Sequence, residues 1–288
     1  MSYVGYLLFR FVIFVFSLIP FWLLYRISDG LAWLLYKVVK YRRKVVFSQL
    51  TQSFPNKNKN EIARIAKASY ANLADVIVES IKGFTMSAQE LKDRYKFLNI
   101  QEAIDLHRRG ISSIHIAPHY NNWEWGAMSY PLWLPDPVLG FYKPLSNPYI
   151  DQYSQANRGR FNLQLIPIGE TALAFEQYKE QATTYVFMSD QSTWSDKAHW
   201  VMFLGQDTAC PYGPDKYARL LNLPTFYLDV RRIKRGWYEL YFEPLTDANS
   251  ALKEAEITEL FMKRLEKTLY DKPEYWLWSH KRWKKKRQ

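Results

Sequence analysis

The chain has 288 residues, 48% of them hydrophobic and 23% charged, a balance that supplies a core and excludes a disordered chain. Lys and Arg number 39 against 28 Asp and Glu, a formal charge of +11, and such a field attracts nucleic acid, anionic lipid or an acidic protein. The single cysteine, Cys210, rules out an internal disulfide and a thiolate metal cluster, in keeping with a reducing compartment.

The first element is apolar. From Ser2 to Tyr25 only Arg10 is charged, and a helix of that span reaches roughly the 30 Å of a hydrocarbon core. Tyr and Trp near its ends suit interfacial belts. Pro20 is a kink point, and Arg10 must snorkel or face protein. No basic segment precedes the run and no small-residue cleavage site comes after it, so it is expected to remain as an anchor helix. A shorter run, Leu31 to Val39, comes after Ser28-Asp29-Gly30 and is expected to be an interfacial or core helix. Arg26, Lys37, Lys40, Arg42, Arg43 and Lys44 lie after the anchor, while Lys281, Arg282, Lys284, Lys285, Lys286 and Arg287 crowd the other end. Both clusters suit an anionic membrane surface, and the first favours a cytoplasmic position for the domain downstream of it. Residues 1–45 are thus expected to form the anchor and interfacial helix, and 46–288 one catalytic domain.

Asn58-Lys-Asn-Glu61 has the pattern of a capping box, and the apolar spacing beyond it predicts an amphipathic helix to about Gly83. From Gly110 the pattern alternates. Strands are predicted at Ser112 to Ala117, Val138 to Tyr142, Leu163 to Ile168, Thr184 to Ser189, Thr225 to Val230 and Tyr238 to Glu243. Helices are predicted at Asn122 to Ser129, Asn147 to Arg158, Thr171 to Glu180, Pro214 to Leu221 and Ile257 to Leu269. The alternation argues for an α/β fold, a central sheet flanked by helices, whose ligands gather past the carboxyl ends of strands. His119 and Asp190 both fall there.

Within Ala117-Pro-His-Tyr-Asn-Asn-Trp-Glu124, His119 sits where a strand gives way to a helix. The positive end of that helix disfavours an imidazolium and leaves the ring available as a base. Glu124 is the candidate acceptor for the other ring N–H. No G-x-S-x-G elbow is present, so the nucleophile is expected to be the substrate's own hydroxyl. His115 reads as a core residue, His107 and His199 as surface residues, and His280, among Trp276, Trp278 and Trp283, as interfacial packing. No metal-ligand spacing and no Gly-rich phosphate loop appears.

These residues resemble the bacterial lipid A biosynthesis (late) acyltransferase family. His119, Tyr120, Asn122, Trp123 and Glu124 match its His-aromatic-Gly-Asn-Trp-Glu, with Asn121 in place of Gly, a residue that tolerates left-handed backbone angles. Tyr142-Lys-Pro-Leu-Ser-Asn-Pro148 is similar to the family's Tyr-Arg-Pro and Asn-Pro, with Lys143 in place of Arg. Arg158 falls where a downstream Arg is usual. Met188-Ser-Asp-Gln191, Phe203-Leu-Gly205 and Gly213-Pro214 match further segments, with Cys210 where Thr is usual. Pro273-Glu-Tyr-Trp-Leu-Trp-Ser-His-Lys-Arg-Trp-Lys284 resembles the closing signature.

The resemblance implies a glycerolipid-acyltransferase-like fold with a mixed sheet, and a cofactor-free O-acyl transfer from an acyl-acyl carrier protein thioester to a hydroxyl of a lipid A precursor. It implies His119 as general base and Glu124 as its orienting partner. Asn122, Lys143, Arg158, Asp190 and Gln191 are then substrate-binding candidates, the two cations for a phosphate. The expected partners are a membrane glycolipid, the acidic carrier protein and an anionic membrane surface, at the cytoplasmic side of the bacterial inner membrane. The same chemistry on another membrane lipid is the nearest alternative. A basic module binding membranes or nucleic acid is the more distant one, disfavoured because the basic clusters flank the anchor and tail, so no nucleic-acid partner is expected.

Overall fold

A computed structural model describes residues 2–287 apart from 136, 194–196 and 249. The apolar amino-terminal run is two helices, α1 (Ser2–Leu18) and α2 (Phe21–Trp33). Pro20 lacks the N–H that a continuous helix needs and sits in extended backbone as the cap of α2. The carbonyls left over at the end of α1 are taken by a distant cation: Lys82 Nζ donates to Ser17 O at 2.8 Å and Ile19 O at 2.9 Å. The break is therefore built in. At 17 residues, α1 is about 26 Å long, and no helix among the described residues is long and apolar enough to cross a membrane. The expectation of one spanning helix from Ser2 to Tyr25 is not met.

Nor does Ser28-Asp29-Gly30 separate two elements. It lies inside α2, which continues into a widened π turn at Leu34–Val38. Ser28 and Asp29 face polar partners: Ser28 donates to Asp75 at 2.5 Å, and Asp29 accepts from Arg235 at 2.6 Å. Arg10 turns back to protein, its guanidinium 5.4 Å from the Tyr153 ring. Next come α3 (Arg43–Ser53), across which the 45/46 division falls, and α4 (Lys59–Gly83). The capping box at α4 is present, with Asn58 accepting from Asn60 and Glu61 and Glu61 accepting in return from the Asn58 N–H at 2.8 Å.

A short helix, α5 (Ala88–Arg94), leads to β1 (Tyr95–Leu98) and α6 (Gln101–Arg108). The alternating region then gives β2 (Ser113–Ala117), α7 (Trp123–Trp133), β3 (Val138–Tyr142), α8 (Pro148–Arg158), β4 (Leu163–Pro167), α9 (Thr171–Gln177) and β5 (Thr184–Met188). After a hairpin of β6 (His199–Phe203) and β7 (Gln206–Cys210), the chain continues through α10 (Gly213–Leu221), β8 (Thr225–Lys234), β9 (Trp237–Thr246) and α11 (Glu256–Asp271).

The main sheet has the order β1-β9-β8-β2-β5-β3-β4. β8, β2, β5, β3 and β4 run parallel, whereas β9 and β1 run the other way, so the sheet is mixed as expected. Two apolar cores cover its faces, one built around Ile114, Ile116, Tyr227 and α11, the other around Trp125, Phe97, Phe226 and Phe242. β2 lies at the centre and is buried at every position. Its residues therefore set the height at which the loop beyond Ala117 emerges.

Candidate active site

Pro118 ends β2, and four residues carry the chain from the sheet into α7. Asn121 takes the left-handed backbone, with φ 55°, as its side chain permits. Asn122 caps α7: its Oδ1 accepts the Trp125 N–H at 2.9 Å, and its Nδ2 donates to the buried Glu79 at 2.7 Å. The cap is wholly buried, so Asn122 faces the fold and not a substrate, contrary to expectation. The close approach of α4 to Trp125 requires a glycine, since a Cβ on Gly83 would stand 2.8 Å from the indole nitrogen.

β5 pairs in parallel with β2, with Ala117 level with Met188. The residues just past both strands are thus neighbours. Asp190 Oδ1 lies 2.7 Å from His119 Nδ1, and Asp190 Oδ2 accepts the His119 backbone N–H at 2.9 Å. A carboxylate only accepts, so the ring proton is on Nδ1 and Nε2 carries the lone pair. Trp276 adds a third donor, its indole N–H 2.7 Å from Asp190 Oδ2. Burial raises the Asp190 carboxyl, but the charge and hydrogen bond of His119, the Trp276 indole and the His119 backbone together bring it below its usual range. His119 keeps 17% of its side chain exposed against 1% for Asp190. The ring is reachable while its partner is sealed in.

Glu124 does not orient His119. It grips Arg158 in a fork, with the Arg158 Nε at 2.9 Å from Oε2 and Nη2 at 2.8 Å from Oε1. Placed on the first turn of α7, Glu124 meets the end of α8, while the ring proton of His119 finds the nearer carboxylate on the adjacent strand. Arg158 is therefore already paired, at 24% side-chain exposure. Lys143 is exposed just past the carboxyl end of β3, and Gln191 is half-buried beside Asp190.

Two groups in the closing segment carry roles that its aromatic composition concealed. Besides Trp276, His280 accepts the Ser192 N–H on Nε2 at 3.3 Å, and burial brings its ring down to about 4. The main chain of this segment also grips the histidine turn: Leu277 N donates to His119 O at 3.2 Å and Asn121 N to Tyr275 O at 2.9 Å. The signal was in the sequence, as a Trp-x-Trp-x-His pattern, but nothing local tied it to residues 119 and 190.

His115 and His199 are held inside the fold. His115 is buried in β2, with Nε2 3.0 Å from Ser113 Oγ, and burial lowers it to about 3. His199, expected at the surface, is buried against Thr258 at 3.2 Å because the β6–β7 hairpin folds it under α11. Cys210 is buried and accepts from the equally buried Arg282 at 3.0 Å.

The Nε2 lone pair of a carboxylate-oriented imidazole can take the proton of an attacking hydroxyl, with no side-chain nucleophile required. Comparison with known proteins places the chain in a family. An Escherichia coli (strain K12) lipid A biosynthesis lauroyltransferase is 23% identical over 271 residues, spanning 92% of this chain and 87% of that protein. The sequence profile of the bacterial lipid A biosynthesis acyltransferases matches residues 1–285. Because that match spans nearly the whole chain, including the His119 turn, Asp190 and the closing segment, the chain belongs to the bacterial lipid A biosynthesis acyltransferase family and is an acyltransferase.

Proposed function

We propose that His119 is the general base for transfer of a fatty acyl group from an acyl-acyl carrier protein thioester to a hydroxyl of a lipid A precursor. The hydroxyl oxygen attacks the thioester carbonyl carbon as its proton passes to His119 Nε2. The C–S bond then breaks, and the same proton leaves with the thiolate sulfur as a thiol. A thioester is already activated, so positioning and proton removal are the main demands on the protein. The observation that carries this reading is the 2.7 Å contact from His119 Nδ1 to Asp190, which leaves Nε2 as the basic atom of a partly exposed ring beside a buried carboxylate. Asp190, not Glu124, is the orienting partner.

Glu124, five residues beyond His119, is paired with Arg158. Arg158 would exchange part of its fork to Glu124 for a phosphate of the acceptor or of the carrier's phosphopantetheine arm, with Lys143 as a second, unforked cation. Attachment to the cytoplasmic face of the inner membrane is supported by the exposed apolar face of the first two helices, including Val4 at 70%, Leu18 at 71% and Trp22 at 69%. Such a face suits helices lying in the interface. The two basic clusters also meet in space, since Arg42 donates to Ser279 O at 3.0 Å beside Lys281. That patch suits anionic lipid and an acidic carrier protein.

The test is His119→Ala in folded protein, assayed with a lauroyl-carrier-protein donor and a lipid A precursor. Acyl transfer is expected to fall at least a thousandfold, as for loss of a base that acts with its partner as a unit (about 10³–10⁴); retained turnover defeats the reading. Full recovery of the protein in the soluble fraction without detergent would defeat the membrane attachment.

A further inference from the structure

We propose that Trp276 is a positioning residue of the His119–Asp190 pair, its indole N–H fixing Asp190 so that the carboxylate faces the His119 ring and the pair takes up its proton at a lower pH. This deepens the base reading and rests on it. Asp190 Oδ2 receives both the Trp276 indole at 2.7 Å and the His119 backbone N–H at 2.9 Å, which leaves Oδ1 for the ring. Two donors on one oxygen define the plane of the carboxylate, and a third fixes the ring in it.

The indole has little freedom to leave. Trp276 is 4% exposed and packs edge-on against Trp278 at 4.7 Å and Phe203 at 6.0 Å. Its segment is tied down on both sides: Asn72 Nδ2 donates to Tyr275 O at 3.1 Å, and Gln49 Nε2 donates to Trp278 O at 2.8 Å. Gln49 also accepts the Arg282 N–H at 2.7 Å. An indole is a donor only, so its bond to Asp190 depends on the carboxyl accepting there.

The direction of the effect is set by charge. With the ring neutral, the Asp190 anion is stabilised by its N–H donors and, more distantly, by the charge of Arg282, with the His280 ring also facing the pair. With the ring protonated, the imidazolium carries part of that burden. Removing one donor therefore harms the neutral-ring state more, and the pair protonates at higher pH. Packing alone has no such consequence.

The experiment uses the full chain in detergent and reads the pH midpoint of the pair from the histidine-ring NMR titration, which needs no substrate, with His119→Ala to assign the signal. In Trp276→Phe, which keeps an aromatic ring but lacks the donor, the midpoint is expected to rise by about 0.5–1 pH unit. The acid limb of kcat/KM should move with it. Trp278→Phe is the control, because that indole donates to Pro273 O at 2.6 Å and does not touch Asp190; its midpoint should stay with the wild type. An unmoved midpoint in Trp276→Phe, or an equal shift in Trp278→Phe, overturns the proposal. If Trp276→Phe does not fold, the wild-type Trp276 indole N–H resonance decides: it should titrate together with the ring, and an indole signal indifferent to that titration overturns the proposal. Retained acyl transfer in His119→Ala instead sinks the base reading, and the two failures are told apart.

Discussion

Asp190 and Glu79 are both carboxyl groups shut off from water, at 1% and 0% exposure, and they stand on either side of the His119–Glu124 turn. Asp190 accepts from His119 twice and from Trp276. Glu79 accepts from Tyr25, Tyr238 and Asn122, each at 2.7 Å. Yet the first is lowered below its usual range and the second is raised above it. The number of hydrogen bonds does not separate them. Burial raises both, but Asp190 faces a ring that can become a cation, whereas Glu79 has only neutral donors and feels the Asp75 charge nearby. One carboxyl holds its charge beside the His119 ring; the other, made harder to ionise by burial, joins α2, α4, α7 and β9.

The largest effect expected from this contrast is on rate. Asp190→Asn preserves shape but removes the anion and places an amide against the ring proton, favouring the wrong tautomer. Turnover should fall by about 10³–10⁴, the order seen when a histidine's carboxylate partner is neutralised. The same change made as Glu79→Gln should leave turnover within a few-fold. A steady-state assay of both variants side by side checks the comparison, and equal losses would break it.

Stability should show the reverse ranking. Glu79→Leu leaves two tyrosine hydroxyls and the Asn122 amide without their acceptor in the core, at about 1–3 kcal/mol for each unrelieved group. Allowing for rotation of the hydroxyls, a net loss of roughly 3 kcal/mol is expected, read as a lower denaturation midpoint. The pH dependence sharpens it further. Glu79 has a raised folded value, so its contribution is fully present below the unfolded value of about 4.3 and is lost as pH rises through the folded value. Asp190 has a lowered value, so its contribution is present above about 3.9 and is lost as pH falls through the folded value. Relative to wild type, Glu79→Gln should therefore gain stability from about pH 4 upward. Parallel melting curves for the two proteins across that range would contradict the upward shift of Glu79.

Much of this arrangement is legible in the chain. β3 occupies the residues its apolar run marks, and α7 begins one residue past the Asn122 that caps it. Other parts are hidden for identifiable reasons. The β6–β7 hairpin turns on Leu204 and Gly205, both with positive φ, and a leucine there carries none of the usual Asn-Gly signal. The short edge strand β1 is only 4 residues long. The kink at Pro20 is marked in the sequence, but Lys82, which takes up the carbonyls there, stands more than sixty positions away. Most consequential is the partner of His119. A carboxylate five residues on is visible in a sequence, but Asp190 becomes a neighbour only through the pairing of β2 with β5. Glu79 gave no functional signal at all, lying in the buried stripe of a scaffold helix.

The smallest effect concerns the turn that divides the two carboxyls. Asn121 occupies a left-handed angle at φ 55° and donates its amide to Val230 O at 2.8 Å. Glycine adopts that angle without a Cβ penalty but loses the hydrogen bond and has more unfolded-state freedom to give up, about 0.5–1 kcal/mol. The terms oppose one another, so Asn121→Gly should change stability by less than about 1 kcal/mol. It should also leave turnover close to wild type. The Asn121 N–H to Tyr275 O bond belongs to the backbone and survives the substitution, and with it the grip of the closing segment on the His119 turn. A large loss of turnover in this variant with stability unchanged would mean that the Asn121 side chain, and not the backbone around it, keeps His119 in line with Asp190.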